Sequence, residues 1–428
     1  MTGRAYARPD QSMFAGQAPR FGEVPWWMEA GRLPGPLHGI LVCDLTRVLS
    51  GPYCTQMLAD LGARVIKVER PGAGDDTRAW GPPFVGSTAA YFMSANRNKE
   101  SIAVDLKHVD GLAVVRRLAL RADVLVENFR PGTADELGLG YAALSAENPG
   151  LVYASISGFG QTGPYRERAG YDAIAQGMGG MMAITGDPAG APVRAGVAIA
   201  DIGAGMFAAF GIASALFERS RSGRGQQVDC SLVDAQVAWM TYAAANYFAT
   251  GETPKRYGSA HPSIVPYQAV AVADGFIMLA VGNDAIWRRF CAALGEPELA
   301  TDPRFATNPD RVARRDEILA YLDVRLRRRG MAEWLLAFEQ AGVPAGPINT
   351  MPQVVADPQV QAREMVVELP HPEAGRVRVT GNPVKLSRTP GEVRSAPPLL
   401  GQHTDQVLAF LGYGAEEIAR LRAEAAVA

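Results

Sequence analysis

Through the first half of the chain, short continuous apolar runs alternate with stretches whose apolar residues recur every three or four positions. HGILVCDL (38–45), RVIKVE (64–69), ESIAVDL (100–106), DVLVENF (123–129) and LVYASISGF (151–159) have the length and composition of buried strands. GPYCTQMLADLGA (51–63) and GLAVVRRLALRA (111–122) carry helical spacing. Parallel strands covered by helices on both faces read as unbroken apolar runs, so the alternation predicts a doubly wound α/β domain over residues 39–228. After the polar break RSRSGRGQQ (219–227) the rhythm changes. A helix over 230–249, a strand pair within VPYQAVAVADGFIMLAVG (265–282) and helices near 284–294, 310–328 and 331–341 predict a smaller α+β domain over 229–350. Residues 351–428, with RVRVTGNPVKLS (376–387) and a final helix over 403–424, form a tail that can pack on either domain. The Pro- and Gly-rich residues 1–38 are expected to be an arm.

One apolar stretch departs from both rhythms. Ala195–Phe217 reads AGVAIADIGAGMFAAFGIASALF and holds a single charge, Asp201. The uninterrupted part after it falls short of the roughly 20 residues a bilayer span needs. A carboxylate inside a longer span costs roughly 2.5–3.5 kcal/mol. A buried helix that starts at or beside Asp201 is expected instead, with GVAIA extended before it. Asp201 is then either an N-cap or a carboxylate kept accessible. Gly203 and Gly205 favour the second, because glycine in a first turn lowers helix stability by about 1 kcal/mol and admits a ligand or another backbone.

Composition narrows the function classes. The chain has 428 residues, 48% hydrophobic and 20% charged, with a net charge of −2. These values fit a soluble protein of at least two domains. Basic residues are interspersed with acidic ones, so neither nucleic acid nor a membrane surface is an expected partner. The run Arg325–Arg329 closes a helical pattern, where cations complement the helix dipole. Cys43, Cys54, Cys230 and Cys291 are scattered without metal-ligand spacing, so no metal is expected and a reducing, cytoplasmic setting is favoured. In a eukaryote the mitochondrial matrix is the alternative.

The first βα turn, DLTRVLSGPYCTQ (44–56), occupies the place where doubly wound folds bind phosphates. It lacks GxGxxG, which argues against a nicotinamide enzyme even though Glu69 stands where a ribose-binding acid would. The loop VERPGAGDDTRAWGPPFVG (68–86) is long enough to be functional and carries Arg70, Asp75, Asp76 and Arg78. In NRNK (96–99), Arg97 between two amides suits either a carboxylate clamp or a plain turn.

DLTRVLSGP (44–52), GARVIKVERPGAGDDTR (62–78), NRNKESIAVDL (96–106), VLVENFRPG (124–132), GFGQTGPYRERAGYDAIAQ (158–176), ADIGAG (200–205) and SGRGQQVDCSLVDA (222–235) together resemble the family III CoA-transferases, the CaiB/BaiF group. SAHPSIVPYQ (259–268), AGVPAGPIN (341–349) and PPLLGQHT (397–404) resemble most the branch acting on glutarate and related dicarboxylates. The resemblance implies a Rossmann-like large domain that takes back the tail, a small domain, and an interlocked homodimer. It implies Asp201 as the nucleophile that carries first an acyl group and then CoA, with CoA and acyl-CoA as substrates and no tightly bound cofactor. CoA contacts carry over to Val48, Arg70, Val104, Asn128 and Phe129. Glu136 and Ala169 stand where basic residues are expected, with Arg168 as a substitute for the second. Arg97, then Arg47, and Tyr171 are the candidates for the acceptor acid.

A related racemase is the alternative within the superfamily. It needs a base just before the aspartate of GYD, where this chain has Tyr171, and a phenol of ordinary pKa near 10 is a poor base at neutral pH. Asp172 also fits a helix-starting acid, and His261 a turn residue before proline.

Overall fold

The computed structural model describes residues 35–428. They form two compact units: the described residues up to Gly170 with Asp201–Leu232 and Glu364–Ala428, and Tyr171–Ala200 with Val233–Arg363.

The first unit is built on six strands: β1 (Leu41–Asp44), β2 (Arg64–Glu69), β3 (Lys99–Ala103), β4 (Val124–Glu127), β5 (Val152–Ser157) and β6 (Gln227–Ser231). All are parallel, in the order β3-β2-β1-β4-β5-β6. This is the doubly wound order of dinucleotide-binding folds, in which the direction of winding reverses between β1 and β4. Residues of β1 to β5 are almost entirely buried, as the unbroken apolar runs predict. Helix α1 (Ser50–Asp60) follows β1 and α2 (Val109–Arg121) follows β3. One face of the sheet packs Leu41, Ile66 and Leu125 with Val114, Val115 and Leu118 of α2 and with Val407, Leu408 and Leu421 of the tail.

Helix α3 (Ile199–Ser222) has 24 residues and is long and apolar enough to cross a membrane by length and composition alone. Its Gly203, Ala204, Gly205, Ala208, Ile212 and Ala215 are nevertheless buried. At Gly205 a side chain is impossible, since a Cβ would sit 2.5 Å from the Ser50 carbonyl oxygen at the start of α1. Of the two occupants that the sequence allows here, a ligand or another backbone, Gly205 admits the backbone. The helix also starts two residues before Asp201, so Ile199 and Ala200 are helical instead of extended.

In the second unit, β7 (Tyr267–Val272), β8 (Gly275–Ala280) and β9 (Ala345–Pro347) form an antiparallel sheet in the order β9-β8-β7. Its core packs Val270, Ile277 and Leu279 with Trp287, Phe290, Leu322, Trp334 and Phe338 from three helices: Asp284–Leu294, Arg315–Leu326 and Met331–Ala341. The single helix expected over 230–249 is two, Leu232–Trp239 and Thr241–Thr250, broken where Thr241 takes φ +36°. The final helix is likewise two, Thr404–Phe410 and Ala415–Ala423, parted by Gly412 and Gly414.

Candidate functional site

The turn after β1 is shaped by Asp44, which ends the strand fully buried. Its Oδ1 accepts from the Thr46 N–H at 2.9 Å, and its Oδ2 from Thr55 Oγ1 at 2.7 Å and from Lys99 Nζ at 3.1 Å. Gly51 lets α1 begin directly against this turn, since a Cβ there would fall 2.3 Å from that of Thr46. Val48 takes φ +69°. That conformation is unfavourable for a β-branched residue and is retained only where surrounding contacts hold it.

The carboxyl ends of β1, β2, β3 and β4 open into a cavity of about 250 Å³. Leu45, Thr46 and Arg47 line it from the first turn, Arg70 and Gly74 from the loop after β2, Val104 to Lys107 from beyond β3, and Phe129 and Thr133 from beyond β4. This is the crevice at the switch point of the sheet, where open α/β folds bind their ligands. Arg47, Arg70 and Lys107 supply cations, and the half-exposed Arg47 stands over the Phe129 ring, 5.9 Å from its centre. Asp76 contacts Arg70 at 3.1 Å and Arg47 at 3.6 Å. A set of arginine and lysine around an aromatic face suits a phosphorylated nucleotide.

Below the cavity lies a fully buried charge network. Lys99 donates to Asp44, to the Pro52 carbonyl at 2.9 Å and to Asn96 Oδ1 at 2.9 Å. Lys67 is 2.9 Å from Asp75 Oδ2. Burial, the largest influence, pulls Lys99 down to about 8 despite Asp44. Burial also opposes the charge of Lys67, but Asp75, Asp44 and Glu69 outweigh it and hold the ammonium above the ordinary lysine value. Burial would raise Asp75, yet Lys67 and Thr77 bring it down to about 2. Glu127, at the end of β4, is pushed up to about 7 by burial, and its carboxylate accepts the Phe129 N–H at 2.8 Å.

Several expected site residues are placed otherwise. Arg97 does clamp a carboxylate, but an internal one: it is 3% exposed and donates from Nε and Nη2 to Asp60 at 3.1 and 2.6 Å. It is therefore removed from the acceptor candidates, and Arg47 stands first. Asn128 directs both ends of its amide to the main chain of Arg47, at 2.8 and 2.7 Å. Val104 faces the cavity and bridges to Val427. Arg168 lies on the exposed loop with its guanidinium 3.7 Å above Tyr165 and does not line the cavity. Tyr171 is two-thirds exposed. Glu69, the apparent ribose acid, is buried against Arg78 at 2.6 and 2.7 Å and Ser101 at 2.6 Å. His261 sits between the Tyr242 and Tyr267 rings and accepts the Ser263 N–H, as a turn residue does.

Asp201 is the third residue of α3 and half-buried. It is thus a first-turn residue and not the N-cap. Asp172 holds the start of α3: its Oδ1 accepts the Ala200 N–H at 2.8 Å, while Oδ2 accepts from Gln176 at 2.8 Å. Gln176 in turn accepts the Ala195 N–H at 2.9 Å. A carboxylate in a first turn is favoured in its ionised form by the positive end of the helix dipole, the form a nucleophile requires.

The buried lysines went unread in the sequence, although a signal was there. Lys67 interrupts RVIKVE, and a strand covered on both faces has no solvent to receive a lysine, so its partner has to be internal.

The sequence model of CoA-transferase family III matches residues 37–404. Succinyl-CoA:glutarate CoA-transferase of Mus musculus is 48% identical over 87% of this chain and 86% of its own length. Succinate–glutarate CoA-transferase of Agrobacterium fabrum is 49% identical over 88% of this chain and 96% of its own. Among solved structures, a CaiB/BaiF family protein from Brucella suis superposes with a TM-score of 0.80 at 46% identity, covering 89% of this chain and 100% of that one.

Proposed function

Since the chain belongs to CoA-transferase family III, we propose that it moves CoA from succinyl-CoA to a dicarboxylic acid of the glutarate kind, with Asp201 as nucleophile. It is an enzyme, a CoA-transferase. The observation that carries the substrate reading is the cavity at the switch point, with Arg47, Arg70, Lys107 and Phe129 around it, joined to the two relatives named for glutarate. Arg70 and Lys107 suit CoA phosphates, Phe129 a base or the pantetheine arm, and Arg47 the distal carboxylate of the acid.

In the proposed reaction an Asp201 oxygen attacks the thioester carbon of succinyl-CoA, the C–S bond breaks, and CoA leaves as thiolate. The thiolate attacks the Asp201 carbonyl of the resulting anhydride, releasing succinate and leaving an aspartyl-CoA thioester. The acceptor carboxylate then attacks that thioester. It forms a second anhydride, whose acceptor carbonyl takes back the CoA thiolate and frees Asp201. Every step exchanges one activated acyl group for another, so no step needs an external energy source. The relatives described are named as transferases, which leaves the racemase alternative without support.

The exposed Met206, Phe207, Phe210 and Phe217 on α3 form the kind of apolar patch that a second copy covers, and we assign the homodimer to that face. The four cysteines, which form no disulfide with one another, suit a cytoplasmic enzyme.

The test is succinyl-CoA as donor against a panel of C2 to C6 mono- and dicarboxylic acids, with mass detection of the new thioester. Glutarate and its neighbours in length are expected to give the highest kcat/KM, about tenfold or more above the matching monocarboxylates, as expected where a carboxylate pairs with arginine. Equal turnover of mono- and dicarboxylates would remove Arg47 from its role.

A further inference from the structure

Three consecutive residues of the first βα turn have their main chain held by side chains from other elements. The Thr46 carbonyl accepts from Lys67 Nζ at 2.8 Å. The Arg47 N–H donates to Asn128 Oδ1 at 2.8 Å, and Asn128 Nδ2 donates back to the Arg47 carbonyl at 2.7 Å. The Val48 N–H donates to Asp75 Oδ1 at 3.3 Å. Lys67 and Asp75 are themselves an ion pair of 2.9 Å with both side chains fully buried. The same Asp75 oxygen accepts from the Thr77 N–H at 3.0 Å and Oγ1 at 2.7 Å, which fixes the carboxylate in place.

A hydrogen-bonded turn of ordinary conformation needs no such support. This one contains Val48 at φ +69°, which an unconstrained β-branched residue avoids. Strain of this kind persists only where its surroundings over-determine it, and it concentrates at functional sites. The residue between the grips is Arg47, whose guanidinium lines the cavity and is half-exposed. Lys67 and Asp75 stand in the cavity wall with their side chains fully buried, turned to each other and to the turn.

We propose that Lys67, Asp75 and Asn128 are positioning residues: a clamp that holds the strained turn 46–48 and thereby aims Arg47 into the cavity. Holding the backbone in advance removes an ordering cost that a flexible arginine would otherwise bring to each binding event. The functional half of the proposal rests on the reading of Arg47 as the partner of the acid's distal carboxylate.

Two measurements on the full-length protein separate the clamp from that reading. The first is hydrogen exchange followed by mass spectrometry on the peptide spanning 45–49, without ligand. Asp75→Asn and Asn128→Ala are expected to speed its exchange about tenfold or more beyond any change in the rest of the chain; exchange in that peptide that changes no more than elsewhere overturns the clamp. The second is a double-mutant cycle on kcat/KM for glutarate, with succinyl-CoA as donor. Asp75→Asn is expected to lower it about tenfold in the parent and less than about twofold when Arg47→Ala is already present. Should Asp75→Asn not fold, the same cycle with the partly exposed Asn128→Ala carries the test. Effects that multiply across the cycle overturn the link to Arg47. A parent that turns over mono- and dicarboxylates equally overturns the reading of Arg47 and, with it, the ligand-aiming role, while hydrogen exchange still decides whether the clamp exists.

Discussion

Asp201→Ala lowers exchange of CoA between succinyl-CoA and its acceptor by about 10⁴-fold or more, while CoA affinity and the unfolding midpoint stay close to those of the parent. The rate loss is that expected when the nucleophile of a covalent pathway is removed. The preserved fold follows from the start of α3. Asp172 and not Asp201 accepts the Ala200 N–H, so the variant keeps the side chain that secures the helix entry. A capping role predicts the opposite pattern, with stability lower by about 1 kcal/mol and turnover intact. Steady-state kinetics beside thermal unfolding therefore separates the two roles in one preparation.

The second large effect is on stability. Asp44→Asn keeps the shape of the side chain but removes the charge that faces Lys99 across 3.1 Å in a fully buried site. Breaking one partner of a buried pair costs about 3–5 kcal/mol, and removing both charges restores most of it. Asp44→Asn should therefore unfold at clearly lower denaturant concentration, and Asp44→Asn with Lys99→Met should recover. The pH dependence has a definite sign. Lys99 titrates at about 8 in the folded protein against an ordinary 10.5, so the unfolded chain holds its proton more tightly. Its contribution to stability accordingly rises as pH increases between those values and is least below about 8. In Asp44→Asn, where the ammonium has lost its nearest anion, the deficit should begin to shrink at lower pH. Denaturant titrations at pH 7 and 9 check both statements.

The architecture was readable because it depends on local pattern. Each of β1 to β5 lies within an apolar run, β3 beginning one residue ahead of its own, and a strand buried on both faces leaves that run unbroken. Asp201 stands out in the sequence for a related reason: a lone carboxylate in a long apolar stretch calls for an explanation wherever it occurs. What could not be read depends on partners far away in the chain. Arg97 has the sequence surroundings of a ligand clamp, but Asp60, 37 residues earlier, occupies its guanidinium. Asn128 matches a CoA-contacting position in the sequence, but its amide is engaged by the Arg47 main chain across 81 residues. The cap of α3 comes from Asp172, 28 residues before the amide it holds. Gly205 was correctly read as a place of close approach, but no local pattern names the Ser50 carbonyl as what approaches. Local spacing says which residue types are available, and only the fold decides which of them are already satisfied.

The central claim is that Asp201 carries the group being moved. Incubating the enzyme with succinyl-CoA, quenching with hydroxylamine and sequencing the peptide that contains the start of α3 by mass spectrometry tests it most directly. Stoichiometric hydroxamate at Asp201, absent without succinyl-CoA, is the predicted result. Full turnover with Asp201 unmodified, or a hydroxamate on another carboxylate, would contradict it.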